Sequence, residues 1–477
     1  MRSWFSSEDW WAVWVGLAIV ALAMPAAAGI DALGWVAKTG VWLDPGKAIA
    51  PVSKGYSALP AWASLGLTFA AVLGMVAVGA RAMGFRMGRF LLGFAVIFWI
   101  GYGCWVAGHF AYIAQTPDKR AAMGIGWSLG LTGEAGFIVA LLVGLAIGNF
   151  APGVASWLKE ASRPEWFIKT GIVILGASLG VKAVAASGLV SAIMFRGLAA
   201  IIEAYLIYWA IVYFISRKYF GFSREWAAPL ASGISICGVS AAIATGAAIR
   251  ARPVVPIMVS SLVVIFSVVE LLVLPFAAQA FLSDEPMVAA AWMGLAVKTD
   301  GAAVASGAVT DALVRAAAAA KGVAWQPGWM LMTTTTVKVF IDVFIGIWAF
   351  ILALIWVYAI DKRPGERVRA AEIWERFPKF VIGYFLLFAG VLACGLAWPG
   401  TRPGLEAATG QADVFRGIFF VMTFFAIGMA SNFRRLWAEG IGRLALVYVV
   451  SLFGFIVWIG LAISWLFFHG VRPPLVQ

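Results

Sequence analysis

Charge is what this 477-residue sequence has least of: Asp, Glu, Lys and Arg together make up 12% of it. A soluble domain carries about twice that share, so a soluble globular fold is excluded. Histidine occurs only twice, His109 and His469, and neither has a ligand-like neighbour. The three cysteines, Cys104, Cys237 and Cys394, lie far apart in apolar stretches. They offer neither a disulfide framework nor metal-ligand spacing. No nucleophile–base–acid set and no phosphate loop is present. The glycines from Gly124 to Gly130 lack the strand-and-helix context of a nucleotide fold. The expectation is therefore a non-enzyme with no cofactor, no resident metal and no soluble sensory output domain. What remains is hydrophobic: 63% of the residues, with a mean hydropathy of +0.93.

Apolar runs of about 18 residues or more recur along the chain, the signature of many transmembrane helices. The formal net charge of +12 would suggest nucleic acid in a soluble protein. Here the positive residues fall mostly in short loops, where they set membrane orientation, and no nucleic-acid partner is expected. The run Trp10–Ile30 resembles a signal peptide, with Met24-Pro-Ala-Ala-Ala28 mimicking a cleavage site. Glu8 and Asp9 in front of it argue for a retained first span. Two more spans, Trp62–Ala80 and Phe90–Ile113, complete an expected N-terminal module over residues 1–115. Ten segments follow, at about 137–150, 166–183, 190–216, 226–250, 253–282, 286–312, 328–360, 378–398, 412–432 and 441–469. The arginine-rich loops 81–89, 216–225, 361–379 and 432–443 predict a cytoplasmic N-terminus and an outside C-terminus. Full crossing by 226–250 and 286–312 would put Arg250 and Arg252 outside and Asp284 and Glu285 inside. Re-entry of both segments removes these violations; crossing by broken helices is the alternative.

Three of these segments carry polar chemistry at membrane depth. In the first, Gly233, Ser235, Ile236, Cys237, Gly238 and Ser240 form a stretch whose backbone can leave the α-helical path. Such backbone is tolerated in a bilayer only when buried in protein or lining a wet cavity. Helix ends meeting there can hold an anion; a close helix-packing face is the plainer reading. The second places Lys298, Thr299 and Asp300 among alanines and glycines. Lys298 and Asp300 do not share a helical face, so pairing between them needs broken backbone. The third holds Thr335, Lys338 and Asp342; the last two are four apart and can pair on one face. Glu203 and Glu270 are also intramembrane, and such residues are functional candidates by default.

A loose likeness between the stretches from Ile174 and from Phe425 points to a duplicated core. The stretch Ser232-Gly-Ile-Ser-Ile-Cys-Gly-Val-Ser-Ala-Ala242 resembles the G-T-S-I-C-G-x-S-A signature of a sulfate exporter family of bacterial membrane proteins. The order of other landmarks agrees: Leu141 to Asn149, Thr170 to Gly176, the Gly294 segment, Val337-Lys338 and Ala426 to Met429. The resemblance covers residues 135–470. It implies an all-α transmembrane fold of about 11–13 spans, with an inverted-repeat core of two related halves and an elevator-like architecture. It implies a secondary transporter of the bacterial inner membrane moving a small anion, sulfate or an organic sulfonate, with Na+ or H+ as coupling ion. The expected partners are that anion and the lipid bilayer, and a homodimer is compatible with the sequence. On this reading Gly233, Ser235, Ile236, Cys237, Gly238, Ser240, Lys298, Thr299, Thr335 and Lys338 would face substrate. Asp300 and Asp342 would handle the coupling ion, one of them holding Lys298 in the empty carrier. The sequence departs from the family where Lys298-Thr299 replaces a His-Glu pair and where Ile341 replaces a basic residue. A cation/proton antiporter using Asp300 and Asp342 is the alternative, and a membrane-embedded sensor is another.

Overall fold

The computed structural model describes residues 2–476 apart from 116–118, 130, 132, 134, 253, 361–373, 375, 376 and 433–441. Most of the expected loops 361–379 and 432–443 lies outside the described residues. Among the described residues, eleven helices or helix runs are long and apolar enough to cross a membrane, twelve if the pair Ala135–Phe150 and Pro152–Leu158, bent by 113°, counts as one. The protein is thus an all-α multi-pass membrane protein. Single-turn pieces aside, the helices are α1 (Glu8–Ala23), α2 (Ala61–Ala82), α3 (Met87–Gly108), α4 (Ala135–Phe150), α5 (Pro152–Leu158) and α6 (Pro164–Ala185). The run α7 (Ser187–Lys218) follows, then α8 (Arg224–Ser235), α9 (Ser240–Ala248), α10 (Val254–Leu282), α11 (Pro286–Ala296) and α12 (Asp300–Ala320). The series closes with α13 (Trp329–Ile360), α14 (Phe380–Ala397), α15 (Arg402–Ala430) and α16 (Gly442–Phe468). The segment expected at 412–432 begins earlier, at Arg402. Its first turns are amphipathic, burying Leu405, Ala408 and Ala412, and so extend the helix beyond the apolar run.

Packing divides the chain into two units, one of Met1–Ser191, Ala319–Gly322 and Lys379–Ala430, the other of Ala192–Ala318, Val323–Pro378 and Ser431–Gln477. In the first unit, α1 packs on α6, and α3 on α4. Within the first unit, Gly144 and Gly148 lie on the carbonyls of Phe425 and Met429, and Gly176 and Gly180 on those of Tyr384 and Phe388. A β-carbon at any of the four would press into the facing backbone, so each Gly-x-x-x-Gly pair is what lets α4 meet α15 and α6 meet α14 closely. A two-stranded hairpin, β1 (Ala37–Thr39) with β2 (Ile49–Pro51), lies between α1 and α2. Thr68 and Tyr102 tie it to the helices through the amide and carbonyl of Ala37, at 2.8 and 3.2 Å.

In the second unit neither 226–250 nor 286–312 runs straight; both double back. The hydroxyl of Thr245 donates to that of Ser232 at 2.7 Å, and Arg252 binds Glu225 through its amide and guanidinium at 2.8 and 3.0 Å. The two legs α8 and α9 therefore lie side by side, with their open end at Glu225 and Arg252 and their tip at Ile236–Val239. The second hairpin is pinned by α13. Thr334 donates to the Ala290 carbonyl at 2.7 Å on one leg, and a β-carbon on Gly307 of the other leg would come within 2.6 Å of the same threonine. Its tip is Val297–Thr299, between α11 and α12. The helix α10 leads from the open end of the first hairpin to the open end of the second, so the two open in opposite directions.

Candidate functional site

The hairpin tips meet. The amide of Gly238 donates to the carbonyl of Lys298 at 2.8 Å. Gly238 is required here because a β-carbon would drive into Val263 of α10 and come within 3.0 Å of Thr299. Four helix ends converge at this point. The carbonyl ends of α8 and α11 carry partial negative charge, and the amide ends of α9 and α12 partial positive charge. The sequence places ionisable side chains to match. The ammonium of Lys338 donates to the carbonyl of Ile236 at 2.6 Å and to that of Lys298 at 3.4 Å. The ammonium of Lys298 donates to Leu295 and lies 4.6 Å from the centre of the Tyr208 ring. Asp300 opens α12, where its charge faces the amide end, and Thr299 caps the same helix by accepting from Ala302 at 3.3 Å.

Around Lys338 lies a set of acidic and soft donors. Asp300 Oδ1 is 3.8 Å from its ammonium and accepts from the Cys237 thiol at 2.9 Å. The ligand atoms of Cys237, Asp300 and Asp342 all lie within 4.8 Å of one another, a grouping that could hold a metal ion. Lys338 supplies positive charge to the same group and acts as a tethered cation. Asp300 is thus partnered by Lys338, whereas Asp300 or Asp342 was expected to hold Lys298. Lys298 is held differently: its amide donates to Glu270 Oε2 at 2.9 Å, and Glu270 Oε1 accepts from Tyr448 at 2.5 Å.

Of the residues singled out in the sequence, Ile236, Cys237, Gly238, Lys298, Thr299, Asp300, Lys338 and Asp342 come together. Gly233 packs against Val259 of α10 and the Gly238 carbonyl. Ser240 begins α9. The Ser235 hydroxyl is buried and makes no hydrogen bond among the described residues. Thr335 turns back onto the Leu331 carbonyl of its own helix at 2.8 Å. Two tyrosines of the site carry no signal in the sequence. Tyr208 ends a π-helical segment, Glu203–Tyr208, and donates to Ile456 at 3.0 Å. That carbonyl closes another π-helical segment, Leu452–Ile456; such segments break the regular ladder and often sit at functional sites. Glu203, Glu270, Lys298, Asp300, Lys338 and Asp342 are each no more than 2% exposed. Four carboxylates thus share the interior around the tips with two ammonium groups.

This arrangement defines the class: an integral membrane protein built around two opposed hairpins and a buried charge cluster. The family model described as Conserved hypothetical protein 698 matches residues 131–447, and the chain belongs to that family. It is similar to a UPF0324 membrane protein of Nitrosomonas europaea, 41% identical over 99% of both chains. It also resembles a UPF0324 membrane protein of Rhodopirellula baltica, 30% identical over 82% of this chain and 65% of the relative. An uncharacterized protein of Archaeoglobus fulgidus is 50% identical over 31% of this chain and 93% of its own length. No solved structure matches.

Proposed function

We propose that the chain is a secondary active transporter of the bacterial inner membrane that moves a small anion, sulfate or an organic sulfonate, with protons or sodium ions as the coupling species. The observation that carries this reading is the meeting of two opposed re-entrant hairpins at a buried cluster of charge, Gly238 on Lys298. Interrupted helices with their polar ends at mid-membrane are the usual construction of a carrier's binding site. The order of hairpin then span occurs twice, α8–α9 with α10 and α11–α12 with α13, in opposite directions. That order supports an inverted repeat and an elevator-like movement. No enzymatic step is part of the proposal. A homodimer would suit a carrier of this kind, and no cofactor is needed.

The two roles divide between the helix ends and the acids. The amide ends of α9 and α12, with Lys298 and Lys338, favour an anion. The two carboxylates in excess of lysines cannot stay uncompensated in a medium of low dielectric, which suits coupling through protons or cations. The same surplus favours a second reading, cation/proton exchange with no anion. Purified protein in sealed vesicles separates them. Radiolabelled sulfate uptake driven by a proton or sodium gradient is the expected outcome. Gradient-driven cation flux unaffected by sulfate would replace the anion reading with the exchanger.

A further inference from the structure

We propose that the first unit carries an oxyanion-binding site of its own, made by Arg416 with Asp413 and Ser178. On α15, Arg416 Nε donates to Asp413 Oδ1 at 2.8 Å, and the hydroxyl of Ser178 on α6 donates to the same oxygen at 2.7 Å. The guanidinium lies 5.4 Å from the Phe420 ring centre. Its two Nη groups make no hydrogen bond among the described residues. Lys182 stands one turn beyond Ser178 and shares its face of the helix.

The depth of this cluster makes it more than a surface ion pair. Ser178 lies between Gly176 and Gly180, which pack on the Tyr384 and Phe388 carbonyls of α14. At ~1.5 Å per residue, that level is about 9 Å from the Phe380 end of α14 and about 16 Å from the Ala397 end. The helix α14 carries no charged residue, so the level falls inside the bilayer. Yet the side chains of Arg416 and Asp413 remain 21% and 32% exposed. Exposure of a guanidinium to lipid at that depth is costly, and such residues face water-filled cavities and mark ion pathways. A partly exposed guanidinium at that depth, with free Nη groups, fits a sulfate-like oxyanion, which it can grip with two parallel N–H bonds. Asp413 neutralises the arginine when no anion is bound and competes with one that arrives. The choice of a sulfate-like ligand rests on the proposed function; the cluster and its depth do not.

Isothermal titration of the purified full chain with sodium sulfate at constant ionic strength tests the site. Arg416→Gln should weaken sulfate binding at least about tenfold, and Arg416→Lys less, because a point charge replaces a fork. Asp413→Asn should tighten binding, an effect that loss of a structural ion pair does not produce. If Arg416→Gln fails to fold, the Asp413→Asn titration decides alone: tightened sulfate binding supports the site and unchanged binding overturns it. Wild-type sulfate affinity in folded Arg416→Gln, or no tightening in Asp413→Asn, overturns the inference. Uptake measured in parallel keeps the two proposals apart. Uptake without Arg416-dependent binding removes only this site. Arg416-dependent binding without uptake removes only the transport reading, and absence of both removes both.

Discussion

At the scale of single residues, the cluster is held by Lys338 more than by Lys298. Lys338 joins the Ile236 carbonyl of one tip to the Lys298 carbonyl and Asp300 of the other. Removing one partner of a buried pair typically costs about 3–5 kcal/mol, because the other charge is left uncompensated. Lys338→Met should therefore lower the melting temperature of detergent-purified protein strongly, and Asp300→Asn in the same chain should recover part of the loss. Equal melting of Lys338→Met and wild type would show that the ammonium is not structural. The residues of this cluster were legible in the sequence because a charge among alanines stands out by its cost. Tyr208, Tyr448 and Arg416 were not. A tyrosine in an apolar run carries no signal until its hydroxyl has a partner, and the partners lie 178 residues away for Tyr448 and 248 for Tyr208. The expectation that Asp300 or Asp342 holds Lys298 fails for a related reason: the ammonium beside Asp300 comes from Lys338 on another helix, a proximity that spacing within one segment does not report.

At the scale of elements, the hairpins make the sharpest claim. If α8 and α9 are legs of one hairpin, cysteines at Glu225 and Arg252, in a chain without Cys104, Cys237 and Cys394, should join through a short bifunctional thiol reagent. Straight passage through the bilayer would keep them a membrane apart, and no cross-link would form. The choice between crossing and re-entry was open in the sequence because hydrophobic length is the same for both. The bond from Thr245 to Ser232 and the clasp of Glu225 on Arg252 fold the two legs side by side. Gly238 belongs to this scale as well. Its packing against Val263 and Thr299 means that Gly238→Val should separate the tips, and Val263→Ala in the same chain should partly restore activity. Failure of that rescue, with the double variant folded, would point to a role for Gly238 other than tip packing.

At the scale of the whole molecule, the apolar segments were readable from hydropathy, whereas their grouping into two units was not, because each unit is assembled from distant parts of the chain. Residues Lys379–Ala430 complete a unit begun by Met1–Ser191, and nothing in the apolar pattern announces such a return. Discontinuity of this kind also bears on how the protein is made. The ribosome releases Lys298 and Asp300 before Lys338, which is 40 residues later than Lys298. During that interval the second tip holds its charges without the ammonium that balances them, while the first unit still lacks α14 and α15. Maturation then depends on late segments arriving to rescue early ones, a situation that exposes nascent chains to quality control. Chains halted shortly after Gly322 should be cleared faster than chains that also contain α13, and pulse-chase of nested truncations would register the step.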